Sequence, residues 1–396
     1  MYSTIDREDD DRQLLRKSVA AVASQFGHTY FREKSADPDG RAHELWAALA
    51  ETGFTSVNLP EAYGGGGAGL TELTVVCEEV AATGAPLLLL IVSPAICGNV
   101  IASFGTEEQK AHWLPKFCGQ DTGEWGATWK MAFAITEPDA GSNSHNLSTN
   151  AKLQGDGTWV LNGKKTYISG VDEAEAMLVV ARTGTDEKTG KAQLSLFIVD
   201  SDAKGMTKTV IETEVIAPEK QYALFFDDVI IPADRVVGTP NDGLRQVFVG
   251  LNPERIAGAA MLNGIGRYAL DRAAQYARER EVWGVPIGSH QGISHPMAEA
   301  KIQLELARLM TTRAAELYDA GLDAGEAANV AKFAAAEAAL KCVDVAIQTF
   351  GGNGVATEYG IMSMWGMARL LRIAPVSREM VLNYIAQHSL RLPRSY

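Results

Sequence analysis

Thr136 and Ser142 bracket a turn of small residues, Glu-Pro-Asp-Ala-Gly141, that follows the apolar run Phe133-Ala-Ile135. A strand ending in such a turn leaves hydroxyls and backbone N–H groups at its exit, where a polar ligand can use them. A second stretch, Lys165-Thr-Tyr167-Ile168-Ser169, carries a similar mixture of hydroxyls and apolar side chains. Paired side by side, the two strand ends would face a flat ring with polar edges, such as an isoalloxazine. Alone, either stretch is compatible with an ordinary strand end; the pair is the more specific signal.

Other patterns carry less. Gly64-Gly-Gly66-Gly-Ala-Gly69 fits the GxGxxG spacing of a dinucleotide-binding loop. Such a loop needs a strand directly before it and an acidic residue about twenty positions on, at the end of a second strand. Here Pro60 and Tyr63 precede it, and Leu88-Leu-Leu90 occupies the later place. A flexible surface turn is the better reading, and nicotinamide chemistry loses its main signal. His290 and His295 are not at i,i+4 spacing, so no metal site is expected. Cys77, Cys97, Cys118 and Cys342 form no CxxC pair and read as reduced core residues.

Three regions must position these residues. The chain of 396 residues is long for a single core. Apolar residues recur at helical spacing in 13–26, 41–52 and 70–83, so residues 1–128 read as an N-terminal helical domain. Residues 129–240 switch to strand-type runs at 159–161, 166–168, 177–181, 194–199, 223–226 and 229–231. Asn162-Gly163 between the first two suits a type I′ hairpin turn. Residues 241–396 return to long helical patterns at 257–277, 296–320 and 326–350, which suggests an Ala-rich four-helix bundle. Pro253 fits the first turn of a helix, where its missing N–H costs little.

Net charge is −13, with no basic stripe to offset it, which disfavours nucleic acid and anionic membrane as partners. The acidic start, MYSTIDREDDDR, has no apolar targeting core, and the apolar stretch at 87–92 is broken by Ser93-Pro94. The expectation is a cytoplasmic protein.

Motifs in order along nearly the whole chain resemble the acyl-CoA dehydrogenase family. They include Leu59-Pro-Glu-Ala-Tyr63-Gly-Gly, Phe104-Gly-Thr-Glu-Glu-Gln109, Thr-Glu-Pro-Asp-Ala-Gly-Ser at 136–142 and Phe226-Asp-Asp-Val229. Glu279-Arg280 with Trp283-Gly284, Gln291, and Gln348-Thr-Phe350-Gly-Gly352-Asn-Gly354 follow. The resemblance implies an α+β fold: an N-terminal helical domain, a β-barrel-like middle domain and a C-terminal four-helix bundle. It also implies FAD as cofactor, a homotetramer, and dehydrogenation of an acyl-CoA thioester to the trans-2-enoyl-CoA, with electrons passed to an electron-transfer flavoprotein. Carried over by position, Phe133, Ile135, Thr136, Gly141 and Ser142 would line the flavin, with Tyr167, Ile168 and Ser169 on its other side. Arg280, Trp283, Gln291, Gln348, Gly351 and Gly352 would hold the adenosine and pyrophosphate, in part across a subunit interface. Ser377 and Glu379 are further cofactor candidates, and Ser142, Asn252 and Arg255 candidates for substrate.

Most of the family carries its catalytic glutamate in a C-terminal loop. In ungapped register that place is Pro375, within Ala374-Pro375-Val-Ser377-Arg-Glu379. A minority, including isovaleryl- and long-chain acyl-CoA dehydrogenases, supplies the glutamate from a third-domain helix, just before an arginine. Leu251-Asn-Pro253-Glu254-Arg255 matches that pattern, which makes Glu254 the expected base. Pro375 also lacks the backbone N–H with which the family polarises the thioester carbonyl; either a neighbouring amide, such as that of Val376, replaces it through a shifted loop, or the catalysed chemistry differs. Two alternatives share the fold: a flavin oxidase or monooxygenase, and a non-enzymatic nucleic-acid-binding relative, which the acidic charge disfavours.

Overall fold

The computed structural model of the protein describes residues 9–188 and 190–394. The first unit is helical: α1 (Asp10–Ala23), α2 (Gly27–Ala36), α3 (His43–Glu51), α4 (Leu70–Ala82), α5 (Leu89–Val92), α6 (Asn99–Phe104) and α7 (Glu107–Phe117). A capping box of Thr106 and Gln109 starts α7. The apolar stretch at 87–92 is a buried corner that continues into a π-helical turn at Ser93–Gly98. Among the described residues no helix is long and apolar enough to cross a membrane.

The glycine run at 64–69 is a tied turn, not the flexible one expected. Amides of Gly65, Gly66, Gly67 and Ala68 donate to carbonyls of Pro60, Ser56, Leu59 and Val57. Asp319 accepts from the Leu70 and Thr71 amides at 2.7 and 2.8 Å, so the first turn of α4 is already capped. A phosphate would find these donors occupied. Of the cysteines, Cys77, Cys97 and Cys342 are buried, and Cys118 is half-buried.

The middle unit is one eight-stranded sheet. Its strands are β1 (Met131–Ala134), β2 (Asn150–Leu153), β3 (Trp159–Ser169), β4 (Ala176–Thr185), β5 (Ala192–Asp200), β6 (Met206–Ile211), β7 (Gln221–Ile231) and β8 (Val236–Val237). The order is β6-β7-β3-β2-β4-β5-β8, with β1 parallel to β4. The sheet curls until the Trp159 and Phe197 rings meet edge to face at 5.3 Å. Its other face packs on Leu59, Cys97, Trp113 and Phe117 of the helical unit.

Asn162-Gly163 is not a hairpin turn. It lies inside the continuous strand β3, where the register with β7 shifts by a bulge. Gly163 has φ +141°, and a Cβ there would lie 2.6 Å from Thr149 Cα, so close strand approach dictates the glycine. Asn162 meanwhile pairs with Asp228 across the bulge. The β2–β3 reversal instead falls at 154–158, where the Thr158 amide donates to Asp156 and Gly157 has φ +88°.

The last unit holds three long helices, α8 (Gly243–Glu279), α9 (Gln291–Asp319) and α10 (Gly325–Phe350), with the shorter α11 (Met362–Ile373) as the fourth member and α12 (Arg378–Tyr384) closing it. Alanines and glycines let the helices approach closely; a Cβ on Gly264 of α8 would lie 2.2 Å from Glu78 O of α4. Arg16, Arg267 and Arg308 meet the buried Glu78 and Glu79 there, tying the first unit to the bundle. Helix α8 starts well before the expected 257, so Pro253 lies in its interior and not in its first turn. The N–H it lacks would have paired with Val249 O. Tyr318 of α9 takes that carbonyl instead, its hydroxyl donating at 3.3 Å.

Candidate active site

Strand β1 runs directly into the turn at 136–142. The Thr166 amide donates to Thr136 O at 2.9 Å, so the two polar stretches do lie side by side. Beneath them, Lys165 is fully buried and its ammonium donates to Ile135 O at 2.8 Å and to Glu137 at 2.9 Å. Glu137 also accepts from the Ser148 amide and hydroxyl and from the Thr149 amide. Burial alone would raise the Glu137 carboxyl, but Lys165 and the Ser148 and Thr149 donors hold it down at about 2. This buried ion pair fixes the backbone from which Ile135 and Thr136 project.

Above the pair, Phe133, Ile135 and Thr136 are half-buried, and Gly141 and Ser142 are exposed. Tyr167 is 62% exposed with φ +57°, held at a second register shift of β3. Ile168 departs from expectation: its side chain is buried in the core behind the strand, so only its backbone can face a ligand. Ser169 is linked to Gln221 through the amide nitrogen at 2.9 Å.

The second cluster lies on α8. Glu254 is half-buried, and desolvation pushes its carboxyl up to about 8 against the opposing pull of Arg255 and Lys332. Arg255 donates to Asn252 Oδ1 at 2.7 Å, while its buried Nε has no partner among the described residues. Cys97 links this cluster to the strand exit. Its thiol donates to Ala132 O, one residue before Phe133, and is pushed up by burial, with the Glu254 charge adding to the effect. Across from Arg255, Lys332 of α10 reaches the carbonyls of Arg372 and Val376. The Pro375 segment therefore adjoins Glu254, as both readings of the base position require. Ser377 caps α12, accepting from the Met380 amide, and the Glu379 charge bears on Lys332. Lys332 was not anticipated; its one sequence signal is a lone lysine in an otherwise apolar stretch of alanines.

A third group gathers at the far end of the bundle. Tyr276 of α8 stacks on Phe350 of α10 at 4.3 Å, which brings the two helix ends together. Around them, Arg280, Gln291, Gln348, Gly351 and Gly352 are all exposed. Trp283 is 88% exposed on a tight turn, with its ring edge-on to His290. Added Cβ atoms at Gly141, Gly284, Gly351 and Gly352 would meet nothing within 4 Å. These open backbones, an uncovered indole and an exposed guanidinium suit a flavin dinucleotide: bare amides and an arginine for the pyrophosphate, aromatic surface for the rings.

Three family models match along the chain: the acyl-CoA dehydrogenase N-terminal domain over residues 9–121, its middle domain over 132–229 and its C-terminal domain over 241–390. The chain belongs to the acyl-CoA dehydrogenase family. Among its relatives, acyl-CoA dehydrogenase FadE12 of Mycobacterium tuberculosis is 53% identical, with 100% of each chain covered. The solved butyryl-CoA dehydrogenase of Megasphaera elsdenii superposes with a TM-score of 0.89 at 29% identity, covering 98% of this chain and 100% of that one. The FAD complex of PigA superposes with a TM-score of 0.87 at 25% identity, covering 98% and 99%.

Proposed function

We propose that Glu254 is the base in an FAD-dependent α,β-dehydrogenation of an acyl-CoA thioester. The carboxylate would take the proton from the α-carbon, with Arg255 and Asn252 beside it to orient the thioester and Ser142 at the strand exit. When bound, FAD supplies the acceptor for the hydride leaving the β-carbon. The observation that carries the assignment is a carboxyl raised by burial, on an interior helix turn, coupled through Cys97 to the strand that leads into Phe133 and Thr136. The reading puts this chain with the isovaleryl- and long-chain-type members in base placement, and divides its three units near residues 128 and 240.

The far end of the bundle would serve the adenosine half. Arg280 follows Glu254 by about 26 residues along one helix, roughly 39 Å at about 1.5 Å per residue. A single dinucleotide does not bridge that span, which supports an oligomer in which a partner subunit supplies these groups, in keeping with the homotetramer that the resemblance implies. The electrons would pass to an electron-transfer flavoprotein in the cytoplasm; slow reaction of the reduced flavin with oxygen separates this from oxidase or monooxygenase chemistry.

Glu254→Gln tests the base. The amide keeps shape and removes the proton acceptor, so FAD should remain bound while the rate of anaerobic flavin bleaching by a good thioester falls at least about 10²-fold. Bleaching at the wild-type rate would move the role elsewhere, with Glu379 next to be examined.

A further inference from the structure

Lys332 is 1% exposed, and its ammonium donates to Arg372 O at 3.0 Å and Val376 O at 2.5 Å. Burying an ammonium on neutral acceptors alone is costly. Desolvation lowers it to about 8, helped by Arg255 and Arg372 and opposed by Glu379 and Glu254. One of its bonds has an ordinary explanation: Arg372 O is among the carbonyls that the end of α11 leaves unpaired. The other does not. Val376 lies beyond the helix, and the bond to it ties both sides of the Pro375 turn to one point on α10.

Removing a proton beside a thioester carbonyl drives negative charge onto the carbonyl oxygen. A fixed donor at that oxygen is typically worth about 10²–10³ in rate. Pro375 has no N–H to offer, and the Val376 amide, next along the chain, makes no hydrogen bond among the described residues. We propose that Lys332 is a positioning residue: by holding the Arg372 and Val376 carbonyls, it fixes the turn so that the Val376 amide donates to the thioester carbonyl. The proposal rests on the dehydrogenation reading above, but not on which residue is the base.

The charged groups around the turn are Glu254 and Arg255 of α8, Arg372 of α11, and Arg378, Glu379 and Tyr384 of α12. Glu337 of α10 binds Arg372 at 2.8 Å and Arg378 at 2.9 Å. Because those pairs hold the same loop from outside, losing Lys332 should loosen the turn without releasing it.

The test reads the carbonyl itself. An enoyl-CoA carrying ¹³C at the thioester carbon is bound to FAD-loaded enzyme, and its C=O stretch is measured by difference Raman spectroscopy. Wild type and Lys332→Arg should lower the stretch relative to free ligand. Lys332→Met keeps the aliphatic stem and removes the donors. There the stretch should return toward the free value, and flavin reduction per bound FAD should fall by up to about 10²-fold, with ligand affinity little changed. Val376→Pro, which deletes the amide hydrogen, should do the same, and Val376→Ala should not. A wild-type stretch in Lys332→Met, with only thermal stability lost, would reduce Lys332 to a helix cap; a stretch still lowered to the wild-type value in Val376→Pro overturns the proposal equally. Glu254→Gln separates the two claims. It should keep the lowered stretch, and if it still reduces flavin the base assignment fails while the carbonyl result for Lys332 stands.

Discussion

Both the strand exit and the α8 turn bury charge, and the contrast lies in how much of it is answered. At the exit, Glu137 receives two amides, a hydroxyl and an ammonium, and Lys165 finds a carbonyl and a carboxylate. At the α8 turn, Glu254 is pushed up to about 8, and among the described residues Arg255 keeps a buried Nε without a partner and Lys332 rests on carbonyls alone. A satisfied pair holds a backbone still, and a desolvated carboxyl keeps the affinity for a proton that a base needs. The first region is a support; the second is where reactivity is kept.

The largest effect on this contrast should come from unbalancing the support. Glu137→Gln leaves Lys165 buried without its counter-charge, and losing one member of a buried pair typically costs about 3–5 kcal/mol. Urea unfolding should show the loss, and FAD affinity should fall with it as the Thr136 backbone loosens. A variant as stable as wild type would mean that the pair is not what fixes the exit.

A smaller effect is expected from moving the base. Pro375→Glu combined with Glu254→Ala places a carboxylate at the family's common position and returns an amide hydrogen. Flavin reduction should rise about tenfold over Glu254→Ala and stay well short of wild type, since a misplacement of about 1 Å can cost roughly 10²-fold. No gain in a folded, FAD-loaded protein would count against the register of the C-terminal loop.

The smallest concerns the helix turn itself. Tyr318→Phe removes the hydroxyl that answers Val249 O opposite Pro253, and one such bond is worth about 1 kcal/mol. Thermal unfolding should register it, and an unchanged Tm would mean that another group serves that carbonyl.

These regions were not equally legible in the sequence. The strand exit could be read from local composition, because a turn of small residues after an apolar run has few other structures available. Helices over 70–83 and beyond 257 followed from periodicity. Asn162-Gly163 misled, because the dipeptide that favours a type I′ turn also fits a bulge, and only the approach of Thr149 decides between them. Pro253 misled in a similar way: a proline marks a helix start unless a distant side chain accepts the freed carbonyl, and Tyr318 lies too far along the chain to be foreseen. The Lys332 contacts join α10 to the end of α11 and the segment after it, a pairing that no local pattern encodes.

The pH dependence of flavin reduction tests the central claim most directly. A base must be ionised, and a carboxyl raised from its ordinary value to about 8 is mostly protonated at neutral pH. With saturating thioester, the anaerobic rate in wild type should climb from pH 6 to a plateau above about pH 8. Glu254→Gln should be slow and flat over the same range. Stability should move the opposite way: the folded state keeps the Glu254 proton between about pH 4.5 and 8 and the unfolded chain does not, so wild-type stability falls through that window relative to Glu254→Gln. A Glu254→Gln enzyme that keeps the wild-type rate and its rising profile would contradict the account.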